Sequence, residues 1–276
     1  KSTLLSLISG MLGRQAGEFR IDGAPSSPGD PKLMRRLGMV FQEPSLDRKL
    51  SAHENLYLAL RMHGWPAAPA RTRATSLLED AGLSDRAKEP AGNLSGGLRR
   101  RLDLCRAIAH EPELLLLDEP SSGLDEASFR ALWRQLETLR RRDGLTILVS
   151  THRPDEAARC DRLVVLDGGQ VIADDSPEHL LATLEGEVVT FHAADPARLA
   201  ADLNTHLKVE ARVGHDHVVI TGPDGLSLLV RATEALGADR FRDATLRRPT
   251  LADAFLALTG HDLGSTTDTT HRSDTT

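Results

Sequence analysis

Leu114-Leu115-Leu116-Leu117-Asp118-Glu119-Pro120 decides the reading of this chain. Four consecutive leucines leave no polar face, so the segment predicts a strand covered on both sides, as in an α/β sheet. The strand ends in two adjacent carboxylates. Upstream stands Leu94-Ser95-Gly96-Gly97, downstream stand Ser122-Gly123-Leu124-Asp125 and Ser150-Thr151-His152, and the chain opens on Lys1-Ser2-Thr3. Taken singly, each piece has an ordinary explanation: a core strand with solvated carboxylates, a flexible Ser-Gly-Gly loop, a histidine after a strand. Their order along one chain is what carries information.

Outward from this strand the apolar spacing alternates between helical and extended periods. Thr3 to Ile8 predicts a helix with Leu4, Leu5, Leu7 and Ile8 buried. Phe19 to Ile21 and Leu37 to Phe41 predict short strands. Ser51 to His63 predicts a helix, with Ser51 and Glu54 as a capping box and Gly64 as its stop. Pro66 and Pro69 are expected to break the chain before a helix over Arg71 to Ala81. Ser95 is placed to cap a helix to His110, and Glu126 to Arg142 carries Phe129, Leu132, Trp133, Leu136 and Leu139 on one stripe. Thr146 to Val149 predicts a further buried strand. Gly168-Gly169 between Arg162–Leu166 and Gln170–Ala173 predicts a hairpin. Beyond Leu184 the order is strand 188–192, helix 196–203, strands 209–213 and 218–221, helix 227–236 and strand 241–246. That βαββαβ order predicts a small ferredoxin-like α+β unit. A last helix, Leu251 to Leu258, is capped by Thr250 with Asp253, and the Thr/Ser/Asp/Gly-rich end from His261 is expected to be disordered.

The 276 residues suffice for one large domain and a small one, and 40% hydrophobic content supports a sizeable core. A net charge of −6 argues against a general nucleic-acid binder. Arg99-Arg100-Arg101 has no aromatic residues among it to stack bases and reads as a solvated face. Cys105 and Cys160 lie far apart with no metal-ligand spacing, as in a reduced, cytosolic protein. No apolar run approaches the ~20 residues of a membrane-spanning helix, and no secretory signal is present. Residues 187 to 260 show no second set of phosphate or metal ligands.

The ordered set Lys1-Ser2-Thr3, Gln42, Leu94-Ser95-Gly96-Gly97, Leu114 to Glu119, Asp125 and His152 resembles the ATP-binding cassette (ABC) ATPases, over Lys1 to about residue 175. The resemblance implies a P-loop NTPase fold of ABC type with a helical insert at about residues 50–105. Domain limits are then 1–185 for the ATP-binding domain, 186–260 for the accessory domain and 261–276 for the tail. It implies ATP and Mg²⁺ as cofactors. Lys1 would reach the β- and γ-phosphates, Ser2 and Asp118 would hold the metal, and Thr3 would lie at the nucleotide. Glu119 would polarise the attacking water, and Gln42, in Val40-Phe41-Gln42-Glu43-Pro44, would sense metal and water and couple them to the insert. Ser95, Gly96 and Gly97 would cradle the phosphates held by a second subunit, Asp125 would communicate across that dimer, and His152 would contact the γ-phosphate. Only the end of the pattern G-x-x-x-x-G-K-[ST] is present, so the sequence reads as an N-terminally truncated fragment, expected to be inactive alone; the adenine-stacking aromatic is not found, Tyr57 lying after Gln42.

Pro44-Ser45-Leu46-Asp47, Leu50 to Leu56 and the segment Arg248 to Gly260 are similar to ATPase subunits of ABC-2 type exporters, including drug-resistance and sodium exporters. The implied role is an ATP-hydrolysing subunit, paired as a homodimer, at the cytoplasmic face of the cell membrane, powering a separate ABC-2 permease and binding no nucleic acid. The C-terminal unit would then hold the dimer together, with Phe255 anchoring the last helix. The alternatives are a soluble ABC ATPase acting on ribosomes or DNA, for which a second cassette or a long coiled coil is missing, and an importer ATPase, whose C-terminal region would more often be an all-β barrel. Substrate and direction are not written in the residues.

Overall fold

In the computed structural model, which describes residues 1–141, 144–184 and 186–259, the chain divides into two units, Lys1–Thr151 and a second that begins at His152. The first opens with α1 (Ser2–Ile8). β1 (Arg20–Ile21) and β2 (Ala24–Pro25) pair across a turn in which Asp22 and Gly23 take φ of 51° and 74°. α2 (Pro31–Arg36) begins where Asp30 accepts the Lys32 N–H and Pro31 presets the first helical φ. β3 (Leu37–Val40), α3 (Ala52–Met62), α4 (Ala67–Asp80), α5 (Gly96–Ile108), β4 (Leu114–Asp118), α6 (Glu126–Arg140) and β5 (Thr146–Ser150) follow.

β3, β4 and β5 form a parallel sheet in that order, with Leu117 opposite Val40 on one side and Val149 on the other. Leu115, Leu116 and Leu117 are 0–1% exposed, as four leucines in a row require. Burying each stabilises the fold by roughly 1.5–3 kcal/mol relative to exposure. Gly38 shows how closely α5 lies on β3: a Cβ there would sit 2.3 Å from the Ala107 carbonyl oxygen. The capping box of α3 is complete, with Ser51 Oγ accepting the Glu54 N–H and Glu54 accepting the Ser51 N–H.

Several local expectations shift. Of the apolar residues of α1, Leu5 is buried while Leu4 is 46% exposed, because one stripe of this short helix meets Leu37 and Leu116. α4 starts four residues earlier than the proline rule suggested. Pro69 sits in its first turn, where a missing N–H deprives no intrahelical bond. β5 is half-buried: it has β4 on one side, and Thr146 and Leu148 are exposed. Arg100, read as part of a solvated triplet, is buried.

The second unit contains α7 (Pro154–Ala157), a hairpin of β6 (Leu163–Asp167) and β7 (Gln170–Asp175), and α8 (Pro177–Ala182). Gly168 and Gly169, with φ of 52° and 81°, supply the two left-handed positions of that turn. Then come β8 (Glu187–His192), α9 (Pro196–Leu207), β9 (Arg212–Val213), β10 (His217–Gly222), α10 (Gly225–Leu236), β11 (Asp243–Arg247) and α11 (Leu251–Thr259). The antiparallel sheet order is β11-β8-β10-β9, the βαββαβ arrangement expected from the sequence. Val189, Phe191, Val218 and Ile220 alternate inward against Leu199, Leu203, Leu228 and Ala232 of the two helices. β9 is shorter than the predicted 209–213. α11 does not join this core. Leu251 and Phe255 pack with Ala157, Leu163, Val165 and Leu180. The predicted tail, 261–276, lies outside the described residues.

Candidate functional site

The carboxyl ends of the three parallel strands converge, and in open α/β sheets ligands bind at that edge. β4 delivers Asp118 and Glu119, β5 delivers Ser150 and Thr151, and β3 leads to Phe41 and Gln42. α1 begins at the same edge. Its Ser2 hydroxyl donates to Asp118 Oδ1 at 3.1 Å, and Lys1 Nζ donates to the Thr151 carbonyl at 2.7 Å. Ser150 Oγ also donates to Asp118 Oδ1. The Glu119 N–H points back to β5, 3.1 Å from the Ser150 carbonyl and 3.3 Å from its hydroxyl. Lys1, Ser2, Asp118 and Glu119, separated by more than 110 positions in sequence, are thus neighbours. Partial desolvation pulls the Lys1 ammonium below the usual lysine range, and the Glu119 and Asp118 carboxylates oppose that pull. Thr3 lies exposed on α1.

Gln42 is exposed just past β3. Its backbone is held by a side chain that the sequence placed on a solvated face. Arg100 of α5 donates to the Phe41 carbonyl and, at 2.5 Å, to the Gln42 carbonyl. One turn on, Asp103 is fully buried, bonded by Arg106 at 3.0 Å and faced by the Ser45 N–H. Burial pushes its carboxyl above the usual range, and Arg106 opposes that. α5 therefore grips the segment after β3 through two charged side chains. The available signal was the i, i+3 spacing Arg100–Asp103–Arg106, which puts three charges on one face of a helix that is otherwise packed.

Ser95 caps α5, its hydroxyl accepting the Leu98 N–H at 3.3 Å. Gly96 is open to solvent. Gly97 is not: a Cβ there would lie 2.1 Å from Ser128 Oγ. Ser128 in turn donates its N–H to Asp125, the cap of α6, at 2.8 Å. That bond holds the exposed Asp125 carboxyl below its usual range. The Ser-Gly-Gly loop and Asp125 therefore share one contact, through Ser128. His152 is exposed and opens the second unit, just before α7.

The oxygen donors Ser2 Oγ, Asp118 Oδ1 and Ser150 Oγ, with a lysine ammonium beside them, are the chemistry that a hard divalent cation and phosphate oxygens require.

Residues 1–122 match the family described as ABC transporter. The Nod factor export ATP-binding protein I of Burkholderia orbicola (strain AU 1054) is 35% identical over 269 residues, 95% of this chain and 85% of that protein. The daunorubicin resistance ATP-binding protein DrrA3 of Streptomyces coeruleorubidus is 34% identical over 268 residues, 95% and 84% of the two chains. Among solved structures, cbiO1 from Clostridium perfringens, part of the ABC transporter complex cbiONQ, matches with a TM-score of 0.60 at 29% identity, over 66% of this chain and 74% of that one. The dimeric, post-hydrolysis ATP-binding cassette MJ0796 bound to ADP and Pi matches with a TM-score of 0.57 at 30% identity, over 63% and 79%. With the strand-edge constellation and a relative this similar along nearly its whole length, the chain belongs to the ABC transporter family, as one of its ATPase subunits.

Proposed function

We propose that this subunit hydrolyses MgATP in a dimer of cassettes and so drives export through a separate ABC-2 type membrane permease, from the cytoplasmic face of the membrane. The observation that carries the catalytic part is the meeting of Lys1, Ser2, Asp118 and Glu119 at one sheet edge. Export is supported by the relatives, one a Nod factor export protein and another a daunorubicin resistance protein. Among the described residues no helix is long and apolar enough to cross a membrane, so a membrane path belongs to a partner in this reading. In this reading the ATP-binding domain is 1–185 and the accessory domain 186–260; the βαββαβ order of residues 187–247 supports the body of the second.

In this mechanism Lys1 draws the β- and γ-phosphate oxygens by charge, with Thr3 beside it. Ser2 and Asp118 would hold Mg²⁺, with Gln42 as a further oxygen donor, and the ion would supply positive charge against the phosphate oxygens. Glu119 orients water and accepts its proton. Ser95, Gly96 and Gly97 face the nucleotide of the partner subunit, Asp125 links the two sites, and His152 contacts the γ-phosphate. The test is Glu119→Gln, assayed in the membrane complex. Nucleotide binding should persist while turnover falls by ~10²–10⁴-fold, because an amide takes no proton. A variant that turns over at the parent rate removes Glu119 from the mechanism.

A further inference from the structure

The βαββαβ sheet gathers histidines and carboxylates that sequence spacing did not reveal. His192 ends β8, His217 opens β10 and Asp243 opens β11. The strand registers set His217 and Asp243 directly opposite His192, one on each side. Directly paired residues project to the same face, so these three side chains form one row across three strands. The next pair, Phe191 and Val218, projects the other way into the apolar core. Asp216 immediately precedes the row. Its carbonyl accepts the Ala193 N–H at 3.2 Å, which fixes its backbone beside the end of β8.

We propose that His192, Asp216 and His217 bind a divalent transition-metal ion of the zinc class, with Asp243 orienting His192. One donor atom from each of the three lies within 4.8 Å of the others. Asp216 stands between the two imidazoles, Oδ1 at 2.9 Å from His217 Nδ1 and Oδ2 at 3.7 Å from His192 Nδ1. The second nitrogen of His192, Nε2, faces Asp243 Oδ1 at 4.0 Å. At 4.0 Å the pair is not hydrogen-bonded, but a small rotation of the His192 ring would bring Nε2–H onto Asp243, the outer-sphere arrangement of metal-bound histidines, in which one nitrogen ligates and the other donates to a carboxylate. A simple His–Asp ion pair explains one imidazole; it does not explain two imidazoles on one carboxylate with another carboxylate behind.

The donors are also held. The His217 ring lies over Gly214, where a Cβ would sit 2.6 Å from it, so glycine makes the room. The Gly214 N–H donates to the His217 carbonyl at 2.8 Å, and the Arg242 N–H to the His192 carbonyl at 2.7 Å. Both imidazoles are about one-third exposed, at 36% and 34%, so small χ rotations can draw the donors in to bonds of about 2.0–2.2 Å. They leave coordination positions for water or an outside ligand. Imidazole nitrogen with carboxylate oxygen selects Zn²⁺, Co²⁺, Ni²⁺ or Cu²⁺ over Mg²⁺ and Ca²⁺, which favour oxygen alone. An ion there would tie the β9–β10 turn to β8.

The experiment titrates the tag-free chain with Co²⁺ alone and with Zn²⁺ alone, following visible absorption and calorimetry, with Mg²⁺ and Ca²⁺ as competitors. The expected result is a Co²⁺ spectrum of low coordination number, lost on Zn²⁺ addition and unmoved by Mg²⁺ or Ca²⁺. His192→Gln and His217→Gln should each weaken binding by at least ~10-fold, Asp243→Asn by ~10–100-fold, and His179→Gln, an exposed histidine on α8, not at all. If either histidine variant misfolds by circular dichroism, Asp216→Asn and Asp243→Asn, both at exposed carboxylates, give the same readout. No Co²⁺ uptake at millimolar concentration overturns the proposal. So does uptake that the His192, His217, Asp216 and Asp243 variants all leave unchanged, or displacement by Mg²⁺ as readily as by Zn²⁺.

Discussion

Arg100 is a buried guanidinium that fixes the segment leading to Gln42. It is 3% exposed and bridges two successive carbonyls, those of Phe41 and Gln42, at the end of β3. Arg100→Met keeps length and apolar packing while removing both donors and a positive charge near Asp103. A hydrogen bond from a charged donor contributes about 1.5–3 kcal/mol. The Phe41 carbonyl is half-buried and counts near the upper figure. The Gln42 end is exposed, so water takes over part of its bond, and it counts near or below the lower one. The loss is then ~3–4 kcal/mol, a large share of a typical stability of about 5–15 kcal/mol. Both tryptophans, Trp65 and Trp133, lie in the first unit, so their fluorescence in urea follows that unit alone. With a slope of about 2 kcal/mol/M, the midpoint should fall by ~1.5–2 M. Arg100→Lys keeps the charge but not the fork, so it reaches one carbonyl and should fall about half as far. An Arg100→Met midpoint within ~0.5 M of the parent would refute the claim that this guanidinium holds the segment leading to Gln42. An Arg100→Lys chain equal to the parent would show that charge alone suffices.

Gly97→Ala should destabilise the first unit by ~1–3 kcal/mol, because its Cβ would lie 2.1 Å from Ser128 Oγ; Ser128→Gly in the same chain should restore most of the urea midpoint, and a failure to rescue would place the strain elsewhere. His110, stacked on His63 at 3.7 Å and bonded to the Leu37 carbonyl, has its pKa pushed down to about 4 by burial, with the neighbouring His63 adding to the shift. Its folded pKa lies below the unfolded value near 6.5, so the unfolded chain binds the proton more readily: the contribution is fully present above about pH 6.5 and is lost as pH falls toward 4. His110→Gln should flatten that part of the urea midpoint against pH, and an unchanged profile would assign it to other groups. Phe255→Ala should cost roughly 3–5 kcal/mol and raise amide exchange in β6 and β7 as well as α11, since Phe255 packs with Leu163, Val165 and Leu180; exchange confined to α11 would mean that the helix is merely appended.

What the sequence made legible were features written in one segment. The all-leucine run of β4, the capping box of α3, the Gly-Gly hairpin and the alternating strands of the βαββαβ unit each need only neighbours along the chain. The Lys1, Ser2, Asp118 and Glu119 set was legible because the family's motifs occur in a fixed order. What stayed hidden was assembled by packing. Arg100 is one of a run of three charged side chains, and only the close approach of α5 to β3 turns it inward. The row His192, His217 and Asp243 depends on strand register, and a one-residue slip would send each side chain to the opposite face. Phe255 was placed correctly in a final helix, but its partners precede the βαββαβ unit in sequence, and no local pattern encodes that return.

The backbone at Glu119 shows how the strand and the chemistry are joined. Along a strand, adjacent side chains project to opposite faces, so Asp118 and Glu119 could not both serve one ligand if β4 continued. Glu119 instead takes φ of 43°, in the left-handed region. That conformation costs a non-glycine residue about 1–2 kcal/mol. It is held from both sides: the Glu119 N–H meets Ser150, and its carbonyl accepts the Ser122 N–H at 3.0 Å. The alternation is broken at the last residue, and the Lys1 ammonium feels Glu119 first and Asp118 second. Ser150 therefore has two duties, bonding the Asp118 carboxylate with its hydroxyl and fixing the turn of Glu119 with its carbonyl. A Ser150→Ala change would remove the hydroxyl's bond to Asp118, leaving Ser2 as the other donor there, and the 3.3 Å contact from the Glu119 N–H, while the 3.1 Å bond from that N–H to the Ser150 carbonyl would still hold the turn.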